Sequence, residues 1–433
     1  MRRTTSGMML LMLAFAPGAR AARGDTAVEL GVKGRSNANA SIAASGTFVA
    51  VTWAARSAEG VTDIYAATSR DDGRTFTEPV QVNRTAGEAS VSGEQPPRVA
   101  LVPRPGSGPS VVVVWTAKGS AGTRLVSARS NDGGRAFGPV RAVPGTDASG
   151  NRGWESIGIG RNKEVVALWL DHRAVPARTP AGTAMNGEHQ HGAAAHTPGD
   201  SVARAQLSQL FFATLDDPAS AHAIASGVCY CCKTSVATGS DGSIFAAWRQ
   251  VYPGNIRDIA VTRSKDGGAH FAPPVRVSED NWAIDGCPEN GPALAVDGMN
   301  TVHVVWPTLV QDPAATEPTL ALFYATSKDG LHFTRRQRLS TEGVARHAQM
   351  ALGANGEIVV AWDEQLPGGG RHVVVARGTA NGAAPVHFIR ESIGDGTGTY
   401  PVVAASDGGT IVAWASGPSG QTVLRLERLP SRR

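Results

Sequence analysis

Short apolar segments that end in tryptophan recur along the chain. Each is rich in valine, isoleucine or alanine, and each follows another short apolar run and a glycine-containing turn. Such runs, bounded by turn residues, are typical of β-strands. The seven segments end at Trp53, Trp115, Trp169, Trp248, Trp306, Trp362 and Trp414. Successive tryptophans are 52 to 62 residues apart, except for one interval of 79. We therefore expect repeated units with these tryptophans in the core between them.

A polar turn pattern recurs between these segments. Residues 69–76, 130–137 and 264–271 read Ser-x-Asp-x-Gly-x-x-Phe, and residues 327–333 repeat the pattern one residue shorter. The serine hydroxyl and the aspartate carboxylate can accept hydrogen bonds from the amides of a turn, and glycine supplies a positive φ. Each copy lies between two short apolar runs. The pattern therefore predicts a β-hairpin turn in these repeats.

The repeats predict an all-β fold, a single β-propeller of four-stranded antiparallel blades. We expect seven blades, with six as the alternative if one set of strands is misassigned. The last unit ends after its third strand, at residues 422–429. We expect residues 27–32 to add the missing strand and close the ring, because closure removes two exposed sheet edges. No apolar pattern with a helical period indicates a helix longer than about two turns.

The Ser-x-Asp turns are similar to the Asp-box, and the chain resembles the sialidase-like (BNR repeat) superfamily of β-propellers. The resemblance covers roughly residues 25–430. In that superfamily the Asp-box lies opposite the active face, so it implies the fold and not the reaction. The resemblance also implies that a ligand site would lie at the mouth of the central channel, on the face reached by the first strand of each blade.

The first 22 residues predict a secretory signal peptide. Arg2 and Arg3 precede an apolar run at residues 8–16, and Ala19-Arg20-Ala21 is a cleavage signature. The run is too short to span a bilayer, so we expect no transmembrane anchor. The propeller domain then occupies residues 23–433, and the protein is exported to the periplasm or the medium. Whether Arg2-Arg3 marks a twin-arginine signal stays open.

The charge gives no indication of a nucleic-acid partner. The chain carries a formal charge of +4, and removal of Arg2, Arg3 and Arg20 with the signal peptide lowers it to about +1. No basic stripe with interleaved aromatic residues is present. We expect a metal ion, a small molecule or a glycan as the ligand at the channel mouth, and a protein partner is a further option.

Two sequence features on the mouth face predict a metal site. The four cysteines are Cys229, Cys231, Cys232 and Cys287, and they lie at the predicted starts of blades four and five. The interval of 79 residues contains a His-rich insertion at about residues 174–205, with His189 and His191. Thiolate and imidazole ligands favour copper or zinc, and soft ligands favour copper(I). His347, at the start of blade six, is the nearest further imidazole.

Other interpretations of these features stay open. An exported protein meets an oxidising environment, and four cysteines permit three pairings. A bond between Cys232 and Cys287 would be structural, and one disulfide with two free thiols is a third alternative. A His-rich insertion is also typical of a solvated loop. We expect copper as the metal, zinc as its alternative, and no other cofactor.

The resemblance to sialidases implies a second function for the same face. Enzymes of this family bind a carboxylate with three arginines and use a tyrosine nucleophile with a glutamate partner. Their first arginine lies in an Arg-Ile-Pro sequence, which residues 33–38 lack. The candidates by position are Arg98, Arg152, Arg173 and Arg346 for the carboxylate, and Tyr400 with Glu155 for the nucleophile pair. We therefore expect an exported binding propeller, with an exo-α-sialidase or another glycoside hydrolase as the alternative.

Overall fold

Seven four-stranded antiparallel sheets form a ring in the computed structural model, which describes residues 27–176, 200–311, 317–380, 385–394 and 396–431. The predicted signal peptide and residues 177–199 of the His-rich insertion lie outside the described residues. The prediction of a seven-bladed β-propeller is confirmed, and the six-bladed alternative is wrong.

The first three blades take strands in chain order from the channel outward. Blade one consists of β2 (Ser36–Ser45), β3 (Phe48–Arg56), β4 (Thr62–Ser69) and β5 (Val80–Gln81), after the short strand β1 (Val28–Leu30). Blade two consists of β6 (Arg98–Arg104), β7 (Ser107–Gly119), β8 (Gly122–Ser130) and β9 (Arg141–Ala142). Blade three consists of β10 (Arg152–Ile159), β11 (Val165–Asp171), β12 (Gln209–Thr214) and β13 (His222–Ser226).

The other four blades continue in the same order. Blade four consists of β14 (Ser235–Thr238), β15 (Ile244–Tyr252), β16 (Ile256–Ser264) and β17 (Val275–Arg276). Blade five consists of β18 (Ala293–Val296), β19 (Val302–Val310), β20 (Thr319–Ser327) and β21 (Gln337–Arg338). Blade six consists of β22 (Val344–Leu352), β23 (Glu357–Gln365), β24 (Arg371–Thr379) and β25 (Ile389–Ile393), and blade seven of β26 (Thr399–Ser406), β27 (Gly409–Ser416), β28 (Val423–Leu429) and β1.

The N-terminal strand closes the ring as predicted. β1 pairs antiparallel with β28, and Val28 lies opposite Leu426 and Leu30 opposite Leu424. Asn37 then joins blade one to blade seven, because its backbone amide and its side-chain amide both donate to the carbonyl oxygen of Thr422. The first and last parts of the chain therefore share one sheet.

The core lies between neighbouring blades. The tryptophans of the seven repeats are all buried, at 3 % exposure or less. Each apolar cluster combines side chains from adjacent sheets; Trp115 of β7, for example, packs with Ala50 of β3. The indole of Trp53 donates to Asn37 Oδ1 at 2.9 Å, and that of Trp306 donates to Asp280 Oδ2 at 2.6 Å. These tryptophans are core residues, as the sequence predicted.

The four Ser-x-Asp turns share one hydrogen-bond pattern. In the first, the Ser69 hydroxyl donates to Asp71 Oδ1 at 2.7 Å, and the Gly73 amide donates to Ser69 Oγ at 2.8 Å. The same two bonds occur in the turns that begin at Ser130, Ser264 and Ser327. These turns join the third and fourth strands of four blades, opposite the starts of the inner strands.

Helix is nearly absent from the described residues. The one α-helix, α1, spans Asp200–Leu207, which is about two turns. None of the described helices is long and apolar enough to cross a membrane.

Candidate functional site

The mouth of the central channel is lined by the starts of the inner strands. In β2, β10, β22 and β26 the pairing with the next strand shifts, which marks a β-bulge. Each bulge contains a residue in the left-handed region, with φ between 50° and 56°: Asn39, Trp154, His347 and Tyr400. Such backbone costs a non-glycine residue on the order of 1 kcal/mol or more, and it is concentrated at functional sites. In each of four blades, a residue with a strained backbone thus places its side chain at the mouth, and this lowers the stability of the fold.

Tyr400 and His347 form a stacked pair at this mouth. Their ring centroids are 3.9 Å apart, with 27° between the planes. The Tyr400 ring lies against Gly93, where an added Cβ would fall 1.9 Å from the tyrosine Cζ. Glycine at position 93 is therefore required for the observed position of the ring. Burial, with the nearby charges of Glu94 and Asp363, raises the pKa of Tyr400, so the phenol is a hydrogen-bond donor at neutral pH.

His347 is oriented by an aspartate of the neighbouring strand in its own blade. Its Nδ1 lies 2.6 Å from Asp363 Oδ1, and Arg371 Nε lies 3.2 Å from the other oxygen of that carboxylate. The backbone amide of His347 donates to Asn290 Oδ1 at 3.3 Å. A carboxylate that binds one imidazole nitrogen fixes the orientation of the ring. His347 is thus held toward Tyr400, and no described contact joins it to the cysteines.

Buried charges connect distant blades across the mouth. Glu94 Oε2 accepts hydrogen bonds from the amides of Lys233, at 3.0 Å, and of Gly291, at 2.9 Å. Lys233 Nζ donates to the carbonyl oxygen of Ala348 at 2.9 Å and lies 3.8 Å from Glu94 Oε1. Burial lowers the pKa of Lys233, and the charge of Glu94 opposes this shift. The loops that lead into blades two, four, five and six are therefore held together.

Glu155, which is buried, and Arg98, which is half-buried, form a second pair. Arg98 Nε donates to the backbone oxygen of Glu155 at 2.7 Å, and the Thr116 hydroxyl donates to Glu155 Oε2 at 3.1 Å. The other carboxyl oxygen, Oε1, and Arg98 Nη2 are buried without a partner among the described residues. Burial raises the pKa of Glu155 to about 7, although Arg98 acts in the opposite direction. Such a carboxyl group can exchange a proton near neutral pH.

The residues considered for sialidase chemistry do not form one constellation. Tyr400 contacts His347 and Gly93, whereas Glu155 contacts Arg98 and Thr116. Arg152 and Arg173 both bind Asp171 within blade three. Arg346 is half-buried at the start of β22, and only Arg98 of the four lines the channel.

The cysteines meet at the rim of the mouth, between the starts of blades four and five. Cys231 and Cys287 form a disulfide, and Cys229 and Cys232 are free and buried. Cys229 Sγ lies 3.7 Å from Cys232 Sγ and 3.8 Å from Cys231 Sγ. Cys229, Cys231 and Cys232 are the only group of three or more cysteine, histidine or acidic residues whose ligand atoms lie within 4.8 Å of one another in the described part of the chain. The structure thus corresponds to the third sequence alternative, with Cys231 rather than Cys232 as the partner of Cys287.

Two arginines of blade four surround the free thiols. Arg257 Nη1 donates to Cys229 Sγ at 3.2 Å. The hydrogen bond from Cys232, together with the positive charges of Arg257 and Arg249, lowers the pKa of Cys229 to about 6. Burial and then the neighbouring Cys229 raise the pKa of Cys232. These shifts favour the thiolate form of Cys229 at neutral pH, and the thiolate is the form of cysteine that acts as a nucleophile or binds metals.

An aromatic wall borders the cysteine loop. His172 lies with its ring centroid 5.3 Å from that of Trp154 and 6.5 Å from that of Tyr230. Its Nε2 atom is buried without a partner among the described residues. Burial lowers the pKa of His172 to about 4, so the imidazole is neutral at neutral pH. His189 and His191 lie outside the described residues.

The sequence did not identify three residues of this site. Glu94 lies in the segment before the inner strand of blade two, and Arg257 and Asp363 lie inside strands, where no sequence pattern marks them as mouth residues. All three residues are charged and buried in the structure. Buried ionised side chains are rare unless they are paired, but the sequence does not show which charged residues are buried.

Comparison with solved structures agrees with the propeller fold. No protein-family model matches the chain, and no curated protein matches it. An α-L-arabinofuranosidase of Fusarium graminearum, solved with arabinobiose, is similar with a TM-score of 0.51 and 12 % identity, over 93 % of this chain and 98 % of that one. The polysaccharide lyase Uly1 is similar with a TM-score of 0.52 and 10 % identity, over 90 % and 89 %. A protein of unknown function from Dyadobacter fermentans is similar with a TM-score of 0.50 and 12 % identity, over 93 % and 98 %. At these identities the likeness shows the fold alone: the chain is a β-propeller.

Proposed function

We propose that this protein is an exported binding propeller that holds a soft metal ion, copper(I), at the rim of its channel mouth. The observation that supports the proposal is the pair of free, buried thiols of Cys229 and Cys232, whose sulfurs lie 3.7 Å apart. Arg257 and Arg249 stabilise the thiolate form of Cys229. The disulfide between Cys231 and Cys287 is consistent with an oxidising compartment and anchors the loop.

The number of ligands favours copper over zinc. Structural zinc sites take four protein ligands, whereas the described residues offer two free thiols here, since Cys231 is oxidised. Copper(I) prefers soft thiolates and accepts low coordination numbers.

The test combines a thiol count with a metal analysis. The protein is purified without reductant, its metal content is measured, and its free thiols are counted after chelation and denaturation. We expect two thiols and close to one copper per chain, and loss of the copper in Cys229→Ser and Cys232→Ser. His270→Ala, which removes an exposed imidazole from a Ser-x-Asp turn, is the matched control and should retain it.

Two results would contradict the proposal in different ways. A protein with no free thiol and no metal would have two structural disulfides. Zinc found in place of copper would mean that the cysteines form a metal site but that its ion is zinc and not copper.

A second candidate function, the cleavage of a glycoside, is favoured by Glu155. A buried carboxyl group with a pKa of about 7 suits a general acid, and the arabinofuranosidase above has the same fold. Because Tyr400 and Glu155 are not paired and residues 33–38 lack the Arg-Ile-Pro sequence, we expect no hydrolysis of a fluorogenic sialoside. Assays with an α-L-arabinofuranoside and a sialoside test the candidate, with Glu155→Gln as the variant that should abolish any turnover.

A further inference from the structure

A cavity of about 170 Å³ lies in the central channel below the mouth. It is lined by inner-strand residues or by residues just before them from all seven blades. Two of the lining side chains are cations, Arg98 and Lys233, and none of them is a carboxylate. Glu94 and Glu155 contact these cations but do not line the cavity. The two charged side chains that face the cavity are therefore both cations, with Glu94 and Glu155 behind them.

Four side chains of this wall have donor hydrogens available for a ligand: Ser41, Arg98, Lys233 and Ser235. Arg98 Nη2 is buried without a partner among the described residues. The hydroxyl oxygens of Ser41 and Ser235 accept from the amides of Val99, at 3.4 Å, and Leu294, at 3.0 Å. A hydroxyl that accepts from an amide keeps its own hydrogen for another acceptor. Lys233 Nζ donates one hydrogen to the carbonyl oxygen of Ala348 and lies 3.8 Å from Glu94 Oε1, so at least one of its three hydrogens is left for a ligand.

We propose that this cavity binds a small tetrahedral oxyanion of the sulfate or phosphate class. Unpaired buried donors cost free energy, and an anion that accepts from them removes that cost. The donors come from opposite sides of the channel, since Ser41, Arg98 and Ser235 belong to blades one, two and four. An anion with oxygens in all directions matches this arrangement better than a planar carboxylate, which accepts along one edge.

The dimensions of the cavity limit the ligand. Sites for drug-sized molecules occupy roughly 300 to 1,000 Å³, so the channel holds an ion with a few waters and not an oligosaccharide. The group that binds is an oxyanion in either of two forms. It is a free ion, or it is the terminal group of an ester that enters through the mouth. The proposal is independent of the metal site, because no cysteine lines the cavity.

Calorimetric titration of the purified chain tests the proposal. The probes are sodium sulfate, sodium phosphate and phenyl phosphate, with sodium chloride at equal ionic strength as the reference. We expect saturable binding of at least one oxyanion and none of chloride. Arg98→Gln and Lys233→Met should each weaken binding about tenfold or more, the loss expected for a charged hydrogen bond. Lys265→Gln removes an exposed cation from a Ser-x-Asp turn and should bind as the wild type does.

If Arg98→Gln or Lys233→Met fails to fold, Ser235→Ala still tests the proposal, because it removes a donor without removing a charge. It should weaken binding while its thermal unfolding stays close to that of the wild type. Cys229→Ser should retain anion binding even if it loses copper, which separates this site from the proposed metal site. Tighter binding of phenyl phosphate than of phosphate identifies an ester as the source, and the reverse identifies the free ion. Absence of binding for all three oxyanions, or equal affinities in Arg98→Gln, Ser235→Ala and the wild type, would overturn the proposal.

Discussion

At the scale of single residues, the buried arginine Arg257 helps to lower the pKa of Cys229 in the cysteine loop. It contacts Cys229 from β16, the third strand of blade four, and not from the loop that carries the cysteines. The sequence predicted that the four cysteines meet, and the structure confirms that they do. It could not tell Cys231 from Cys232 as the partner of Cys287, because adjacent residues in a turn differ only in the direction of their side chains.

Replacement of Arg257 by glutamine should raise the pKa of the Cys229 thiol. In the metal-free wild type we expect the thiolate absorbance to appear with a midpoint near pH 6. The variant loses one of the two positive charges that stabilise the thiolate, so its midpoint should move up by about one unit or more. Arg263→Gln, on the same strand but away from the cysteines, is the control. An unchanged midpoint in Arg257→Gln would show that the arginine has no such effect.

Glu155 should make the stability of the protein depend on pH. Its pKa is raised from 4.5 to about 7 in the folded chain, so the folded state binds the proton more tightly than the unfolded state does. The resulting stabilisation is complete below pH 4.5 and is lost as the pH rises to about 7, on the order of 3 kcal/mol. Glu155→Gln should lack this component. The measurement is the difference in unfolding free energy between wild type and variant from pH 4.5 to 8, and a constant difference would contradict the assignment.

At the scale of secondary-structure elements, the strands were predictable because their apolar runs and turn residues are local features. The bulges in β2, β10, β22 and β26 were not predictable. The sequence does not show that a residue other than glycine will adopt a left-handed backbone conformation. Tyr400 was considered as a candidate nucleophile by position and His347 as an imidazole near the mouth, and neither was predicted to lie in a bulge. The strand β1 was predictable from the incomplete last repeat, because an unpaired edge has to be covered.

Removal of β1 should open the ring. A chain that begins at Gly31 leaves one edge of β28 unpaired and exposes Leu424 and Leu426, which are buried in the closed ring. We expect a lower melting temperature and a concentration-dependent shift to larger species in size-exclusion chromatography. A chain that begins at Ala27 keeps the strand and is the control. Monomeric behaviour with unchanged melting would mean that β1 does not contribute to closure.

At the scale of the whole molecule, the seven blades followed from counting repeats, but the charge network at the mouth did not. Its members are far apart in the sequence: 139 residues separate Glu94 from Lys233, and 115 separate Lys233 from Ala348. Only the circular arrangement brings them together. Pairings that depend on ring closure leave no local pattern, which is why the sequence yields the architecture more readily than the site.

The disulfide between Cys231 and Cys287 should stabilise the ring as a whole. It spans 56 residues and joins the starts of blades four and five. In the chain-entropy model, a loop of that length is worth about 4 kcal/mol. We expect the double variant Cys231→Ser, Cys287→Ser to melt several degrees below the wild type in calorimetry. Cys232→Ser removes a thiol from the same loop without removing the bridge, and in a comparison of metal-free proteins it should melt close to the wild type.

The repeated bulges have a consequence for how this protein can change. Each one offers its side chain to the mouth from a separate blade, and the strand pairing on either side of it resumes its regular register. A substitution at Asn39, His347 or Tyr400 thus changes a side chain at the mouth while the pairing within its own sheet can keep its register. In evolutionary terms the mouth is modular: its positions can diverge one at a time, and a common scaffold can acquire new specificities by single-residue steps.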